Sequence, residues 1–530
     1  MFPNPEAMPW LTHVPGSPEE LAAFQRLQDS IVPMFQEIFP NPQLPRTVVT
    51  IPSLSLNAEE LAKITGVHHY EERLLCLLLL LQMPRTHVIY LTSQPIQPSI
   101  INYYLHLLPG VPSHHARNRL TLLSCHDASP KPLTQKILER PRLLAKLKKM
   151  TLNEPNVHVA CFNTTPLERT LCVELQAPLF GSDPALCHLG DKSHGRELFR
   201  NAGIDIADGF EHLRDEKDIV GALADLRKRN PNLRKAVVKL NEGFSGEGNA
   251  TFKYDGAPKE GLEAWIQDQI PTRLNFEAPV ETWDRYKKKF EDMQGIVEAW
   301  LEGDIKCSPS VQCRIEPHNL QKPVVVSTHD QLLGGPSGQV FLGCTFPAHE
   351  DYRLDVQDAG ERIGDQLKQR GVIGRFAADF ISVKEEDRWK HYAIEINLRK
   401  GGTTLPFLML EFLTNGQYNA QTGLYHIPTG QPRFYYASDN LQNDRYQGLA
   451  PDDLMDILVY NELYFNSAKQ EGVVFHLMGA LSEFGKLGLV CIGDNYETAT
   501  QLYKDAVAAL DREATSYDKT DSPLDPLPEK

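Results

Sequence analysis

Asp379, Glu395 and Asn397 fall at spacings that gather hard oxygen ligands onto one sheet face. The segment Gly371 to Thr404 reads GVIGRFAADFISVKEEDRWKHYAIEINLRKGGTT. Within it, Phe376 to Val383 and Tyr392 to Asn397 are two β-runs separated by the charged turn Lys384 to Lys390. Side chains alternate along a strand, so Asp379 shares a face with Arg375. Glu395 likewise shares one with Asn397, while Ile394 and Ile396 point the other way. Paired as a hairpin, the runs present two carboxylates and a carboxamide. Such a set suits Mg²⁺, which takes one or two protein carboxylates and completes its octahedron with water and phosphate oxygens. The plain alternative is an edge hairpin with a solvated polar face. Behind the face comes the cationic glycine turn Asn397 to Thr404 (NLRKGGTT), feeding an apolar helix at Pro406 to Leu413.

A second chemical stretch lies upstream. The apolar strand Lys235 to Leu240 has Lys239 near its end, and Asn241 to Asn249 (NEGFSGEGN) holds three glycines before a return strand at Thr251 to Tyr254. Glycine lets the backbone approach an oxyanion and turn N–H groups towards it, and lysine supplies a point charge. The stretch is neither a Walker loop nor GxGxxG, and a plain hairpin turn reads equally well from it alone. Gly295 to Leu301 (GIVEAWL) is a strand running into Glu302-Gly303-Asp304, which reads as a connection between two lobes or simply as a polar strand end.

These groups need a scaffold, and the chain is long enough to build one in about three domains at 530 residues. Residues 1 to about 45 are proline-rich around one helix, Pro18 to Phe39. Thr47 to Ile51, Thr86 to Leu91, Arg119 to Leu123 and His158 to Phe162 then read as short β-runs. Ser99 to Leu108 and Pro132 to Lys149 read as helices between them. The alternation predicts an open α/β layer with a mostly parallel sheet. Gly190-Asp191-Lys192-Ser193 opens the next unit, with helices at Arg196 to Ala202 and Glu216 to Arg229. Ser308 to Ile315, Val324 to Thr328 and Val340 to Cys344 follow as antiparallel strands, and Asp355 to Gln369 as a helix. A small α/β piece after Asn415 holds strands Phe434 to Ala437, Val473 to Leu477 and Leu487 to Ile492, with helices Asp452 to Phe465 and Glu497 to Arg512. The tail from Thr515 is proline-rich and acidic, as in disordered segments.

Composition narrows the function classes. A net charge of −15 with no evident basic face argues against general nucleic-acid binding. The longest apolar run, Leu74 to Leu81, is far short of the ~20 residues a bilayer span needs, so it reads as a buried helix before a strand. The N-terminus has no basic and apolar leader pattern, so no secretory signal is expected. Nine scattered cysteines without a CxxC fit reduced thiols in the cytoplasm, and no structural zinc is expected. The pairs His68-His69 and His114-His115 do not read as metal sites, because adjacent helical residues face different ways and no partner recurs at metal spacing.

The order Lys192, Lys239 with its glycine loop, an acidic hinge, Asp379, then Glu395-x-Asn397 resembles the ATP-grasp ligases over roughly residues 185 to 415. At finer grain, Ala177 to Gly181, His188-Leu189-Gly190, Lys239 to Gly243 and Asn397 to Thr404 look like the pheganomycin-type peptide ligases. The resemblance implies an α/β (α+β grasp) chain. Its N-terminal pre-grasp α/β domain would span 1–184 and its two-lobed ATP-grasp domain 185–415, with lobes about 185–300 and 301–415. A small C-terminal α/β domain at 416–514 and a disordered tail at 515–530 complete it.

By the same resemblance, ATP and Mg²⁺ (or Mn²⁺) are the cofactors. Lys192 and Lys239 contact the phosphates, and Glu242, Ser245 and Gly246 belong to the loop that closes over them. Glu298 meets the adenine amino group, the Trp300-Leu301 backbone the ring edge, and Asp304 or Glu302 the ribose. Asp379, Glu395 and Asn397 are the implied metal ligands, with Glu395 bridging two ions. The family's arginine two residues before the aspartate is Ala377 here, which leaves Arg375 and Arg399, with Lys400 beside them, as the catalytic cations. The implied reaction is carboxylate–amine ligation through an acyl phosphate, on amino acid or peptide substrates. A phosphotransferase and a non-catalytic nucleotide-binding module are the alternatives, and a homodimer is left open.

Overall fold

Four short strands rich in β-branched residues pair in parallel near the N-terminus of the computed structural model. It describes residues 8–516 apart from 53, 57–60, 63, 244–247, 279–280, 335–337 and 339. The order is Leu120–Ser124, Thr86–Thr92, Arg46–Ile51, Val157–Cys161, and every pairing is parallel. Parallel strands are covered on both faces, which is why TVVTI and HVIYL are almost unbroken apolar runs. The expected helix at Pro132 to Lys149 is two helices, Leu133–Leu138 and Pro141–Thr151. Pro141 has no N–H to continue the first and opens the second.

The leucine run lies in a long stretch of 3₁₀ turns, Val67–Gln82. It is apolar all round because it is shared. Leu74 to Leu79 pack in one core with Tyr90 of the parallel sheet, Leu405 to Leu410 of the helix Thr404–Thr414, and Val473 to Phe475 near the C-terminus.

A five-stranded antiparallel sheet follows, ordered Gly209–Leu213, Gly295–Ala299, Lys235–Leu240, Asn249–Lys253, Asn275–Phe276. The helices Glu216–Arg229, Leu262–Arg273 and Trp283–Met293 contribute to its core. Gly295 is required by close approach, since a Cβ there would stand 2.2 Å from the Lys239 carbonyl oxygen.

The larger sheet takes in Pro309–Glu316, Asn319–Gly334, Val340–Phe346, Gly374–Glu385 and Arg388–Asn397. It does not stop where a separate C-terminal piece was expected. Pro432–Gln442 pairs antiparallel with Val340–Phe346, and Lys486–Gly493 and Gly472–His476 extend the sheet further. Tyr435 stacks on Phe346 with ring centroids 5.1 Å apart. Segment 416–514 therefore shares a sheet and a core with the second lobe. The expected helices there are Pro451–Tyr460 and Tyr496–Ser516, and most of the expected disordered tail lies outside the described residues.

Candidate active site

The strands Gly374–Glu385 and Arg388–Asn397 form the expected hairpin, and its register puts Asp379 directly opposite Glu395. The pairing slips between Asp379 and Phe380, leaving Ile394 as an extra residue on the second strand. Such a bulge bends a strand and re-aims its side chains, and it commonly sits beside a functional site. Asn397 Nδ2 donates to Asp379 Oδ2 at 2.9 Å, and Gln331 Nε2 donates to Asp379 Oδ1 at 2.7 Å. Burial and then the neighbouring Glu395 charge push the Asp379 carboxyl up to about 6. Burial also works to raise Glu395, but Lys192 and Arg399 outweigh it and hold that carboxyl below its usual range. Two opposed carboxylates with a carboxamide beside them are a hard-oxygen set that fits Mg²⁺.

The cations facing this pair come from three elements. Lys192 opens the helix Lys192–Asn201, whose first turn is capped by Asp191 accepting from the His194 N–H at 2.8 Å. Lys192 Nζ lies 3.2 Å from Glu395 Oε1. The same helix start is tied to the glycine loop. Ser193 Oγ donates to Asn241 Oδ1 at 2.7 Å, and the Lys192 N–H reaches the Asn241 carbonyl at 3.3 Å. At the loop's neck a Cβ on Gly243 would stand 3.2 Å from Gly248 Cα and 3.9 Å from Lys192 Nζ. Glu242 is exposed there, while the predicted contacts Ser245 and Gly246 lie outside the described residues.

Lys239 is buried and ion-paired with Glu298. Arg196 Nη1 bonds the other oxygen of Glu298 at 3.0 Å. Beyond Glu298, the Trp300 N–H donates to the Lys235 carbonyl at 3.1 Å, and the Lys235 and Lys306 ammoniums stand 5.1 and 5.3 Å from the indole centroid. The Leu301 carbonyl accepts from Lys306 at 3.2 Å. Trp300, Glu302 and exposed Asp304 line a cleft of about 750 Å³ with Lys253 and Asp255, and Glu302 is paired with Arg234.

The three proposed catalytic cations separate. Arg399 stands among the carboxylates, and its charge acts on both Asp379 and Glu395. Arg375 is turned away, 3.5 Å from Glu411 and beside Arg314 in register, with burial pulling its guanidinium down to about 10. Lys400 donates to the Cys161 carbonyl at 2.5 Å, and its N–H to the Phe162 carbonyl, so it docks the glycine turn on the end of the parallel sheet.

The family model described as IQCH-like, ATP-grasp matches residues 258–421, the stretch holding the hinge, the hairpin and the glycine turn. The biotin carboxylase of Campylobacter jejuni, solved as a beta-gamma-ATP complex, superposes with a TM-score of 0.52 at 12% identity, over 91% of this chain and 97% of that one. The chain has the ATP-grasp fold. Along its sequence the chain is 29% identical to the L-propargylglycine–L-glutamate ligase of Streptantibioticus cattleyicolor over 459 residues, covering 85% of this chain and 91% of that protein. It is 21% identical to IQ motif-containing protein H of Danio rerio over 89% of this chain, but spans only 49% of that protein. A family model described as PGM1 C-terminal domain matches residues 453–506.

A second cleft of about 600 Å³ collects Glu395, Asn397 and Arg399 with Glu242, Gly243 and Gly248 of the loop. Ser55 and Asn163 to Thr165, from the carboxyl ends of two parallel strands, close its opposite wall. That is the end of an open α/β sheet where ligands bind. Sequence reasoning missed these loop residues, as it missed Gln331 and Arg196. Arg196 carried one usable signal, standing one helical turn after Lys192.

Proposed function

We propose that the chain is an ATP-dependent carboxylate–amine ligase, joining the carboxylate of an amino acid or peptide to an amine with release of ADP and phosphate. The observation that carries this reading is that Glu395, Asn397 and Arg399 line one cleft, with Asp379 opposite Glu395 in the hairpin and Lys192 3.2 Å from it. Similarity to an amino-acid ligase along 85% of the chain supports it.

The substrate carboxylate oxygen attacks the γ-phosphorus of ATP. The bond to ADP breaks and ADP leaves with the electron pair. The amine nitrogen then attacks the acyl carbon, and phosphate leaves as the amide forms. The first step brings anions together, so positioning and charge compensation are the protein's main tasks. Lys192 and Arg399 supply positive charge at the carboxylate pair, and Lys239, held by Glu298, supplies it deeper in the first lobe. The neck at Gly243 and Gly248 lets backbone approach phosphate closely. Mg²⁺ held by Asp379, Glu395 and Asn397 would neutralise phosphate charge when bound. Trp300 and the Leu301 backbone form the adenine edge, with Asp304 or Glu302 at the ribose.

Seven of the nine cysteines are buried thiols, which fits a cytoplasmic setting. Among the described residues no helix is long and apolar enough to cross a membrane. The test is ATP turnover over pooled amino acids and short peptides with mass spectrometry of the products. A product equal to acid plus amine minus water, with ADP and phosphate, is expected. A phosphorylated product without free phosphate would mean a phosphotransferase instead.

A further inference from the structure

We infer that His68, His69 and Glu483 form a second metal site, separate from the ATP cleft and suited to Zn²⁺. One ligand atom from each residue lies within 4.8 Å of the others. The two imidazole rings, expected to diverge, stand 4.1 Å apart between centroids. The segment leaves Gly66 in a left-handed turn (φ +65°) and proceeds in 3₁₀ turns, which changes the angle between neighbouring side chains from that of an α-helix. Glu483 comes from the short helix Leu481–Phe484, 414 positions away, so no local spacing could announce it.

Carboxylates stand near both ring nitrogens of His69. Its Nε2 lies 3.4 Å from Glu483 Oε2, close to the ~3.3 Å between ligand atoms of a tetrahedral Zn²⁺ site. Its Nδ1 lies 3.6 Å from Glu72 Oε1, and the other Glu72 oxygen accepts the Gly479 N–H at 3.1 Å. Metal-binding histidines characteristically turn their second nitrogen towards a carboxylate, the side of His69 on which Glu72 stands. Glu72 is buried and held, whereas the Glu483 side chain is 60% exposed and free to adjust. The ring edge of Phe484 closes one side of His69. Two imidazoles and one carboxylate favour Zn²⁺ or Co²⁺ over Mg²⁺ or Ca²⁺. Water would take the fourth position.

A bound ion would clamp the Val67–Gln82 segment to Leu481–Phe484, tying the N-terminal layer to the last part of the chain. Metal that binds only the folded chain stabilises it by mass action.

The test uses the full chain, stripped with chelator and titrated with Zn²⁺ in the presence of saturating Mg²⁺ and a non-hydrolysable ATP analogue, which occupy the catalytic cleft. One tight equivalent of Zn²⁺ is expected, with a melting temperature raised by about 2 °C or more. Co²⁺ in its place should give visible d–d absorption. His68→Ala and Glu483→Gln should each lose that equivalent, the thermal shift and the absorption. Melting without metal checks that each variant is folded, and Glu483→Gln, at an exposed position, serves should His68→Ala fail. Zn²⁺ stoichiometry and thermal shift unchanged in Glu483→Gln, or no tight Zn²⁺ in the parent, would overturn the site and leave an ordinary His69 ion pair.

Discussion

Lys192 Nζ and Glu395 Oε1 lie 3.2 Å apart, so the helix Lys192–Asn201, whose Leu198 and Phe199 share a core with the larger sheet, meets the hairpin at a charge pair. Glu395 also stands opposite Asp379, so its loss would remove one carboxylate of the set proposed to hold Mg²⁺. Losing a well-placed charge contact in a closed site costs about 3 kcal/mol, or roughly two orders of magnitude in rate. Glu395→Gln should therefore lower turnover at least about a hundredfold. Glu385→Gln and Glu386→Gln, exposed in the same hairpin's turn, should change it little. Steady-state ADP release checks this, and parental activity in Glu395→Gln would remove the hairpin from catalysis.

Lys239 should matter for nucleotide affinity rather than for folding. In Lys239→Ala, Glu298 keeps its bond to Arg196, so the buried carboxylate is not stranded. Calorimetry should show ATP affinity weakened by about tenfold or more, about 1.4 kcal/mol per factor of ten. Unchanged affinity would place Lys239 outside the nucleotide site.

The two arginines should separate by phenotype. Arg399 acts on Asp379 and Glu395, whereas Arg375 pairs with Glu411. Arg399→Ala should cut turnover by about a hundredfold or more with little change in melting temperature. Arg375→Ala should lower the melting temperature and keep most of the turnover per folded molecule. The reverse pattern would assign the phosphoryl-facing role to Arg375.

Acid should expose buried His476. Burial, then Arg73, pulls its imidazole down to about 3, while the unfolded chain titrates near 6.5. Below 6.5 the unfolded state takes up a proton that the folded state refuses, so this contribution is complete above 6.5 and is lost as pH falls. Glu71, pushed up to about 7 by burial, acts in the opposite sense, so variants must be compared rather than the whole curve. Relative to His476→Phe, the parent should lose about 1.4 kcal/mol per pH unit between pH 6.5 and 4.5, with a constant difference above pH 7. Urea unfolding at several pH values measures it, and a difference independent of pH would contradict it.

What the sequence made legible was local. Period-two alternation gave the hairpin, and the juxtaposition of Asp379 with Glu395 follows from its short turn. The apolar runs of the parallel sheet were equally plain. Pairings set by distant chain segments were hidden. Nothing near Phe434 announces that this strand lies beside Val340–Phe346, because its tyrosines find their partners only in the assembled sheet. Lys400 read as a catalytic cation from its cationic turn, yet its ammonium is spent on the Cys161 carbonyl, 239 positions away. Glu483 beside His69 is hidden for the same reason.

The most direct measurement follows oxygen from the acid substrate. Once an acid–amine pair is found, the acid is supplied with ¹⁸O in its carboxylate and the released phosphate is examined by mass spectrometry. Acyl-phosphate ligation predicts one ¹⁸O in each phosphate and one retained in the amide, because the attacking carboxylate oxygen leaves with phosphorus. Unlabelled phosphate, or ¹⁸O appearing in AMP, would contradict it.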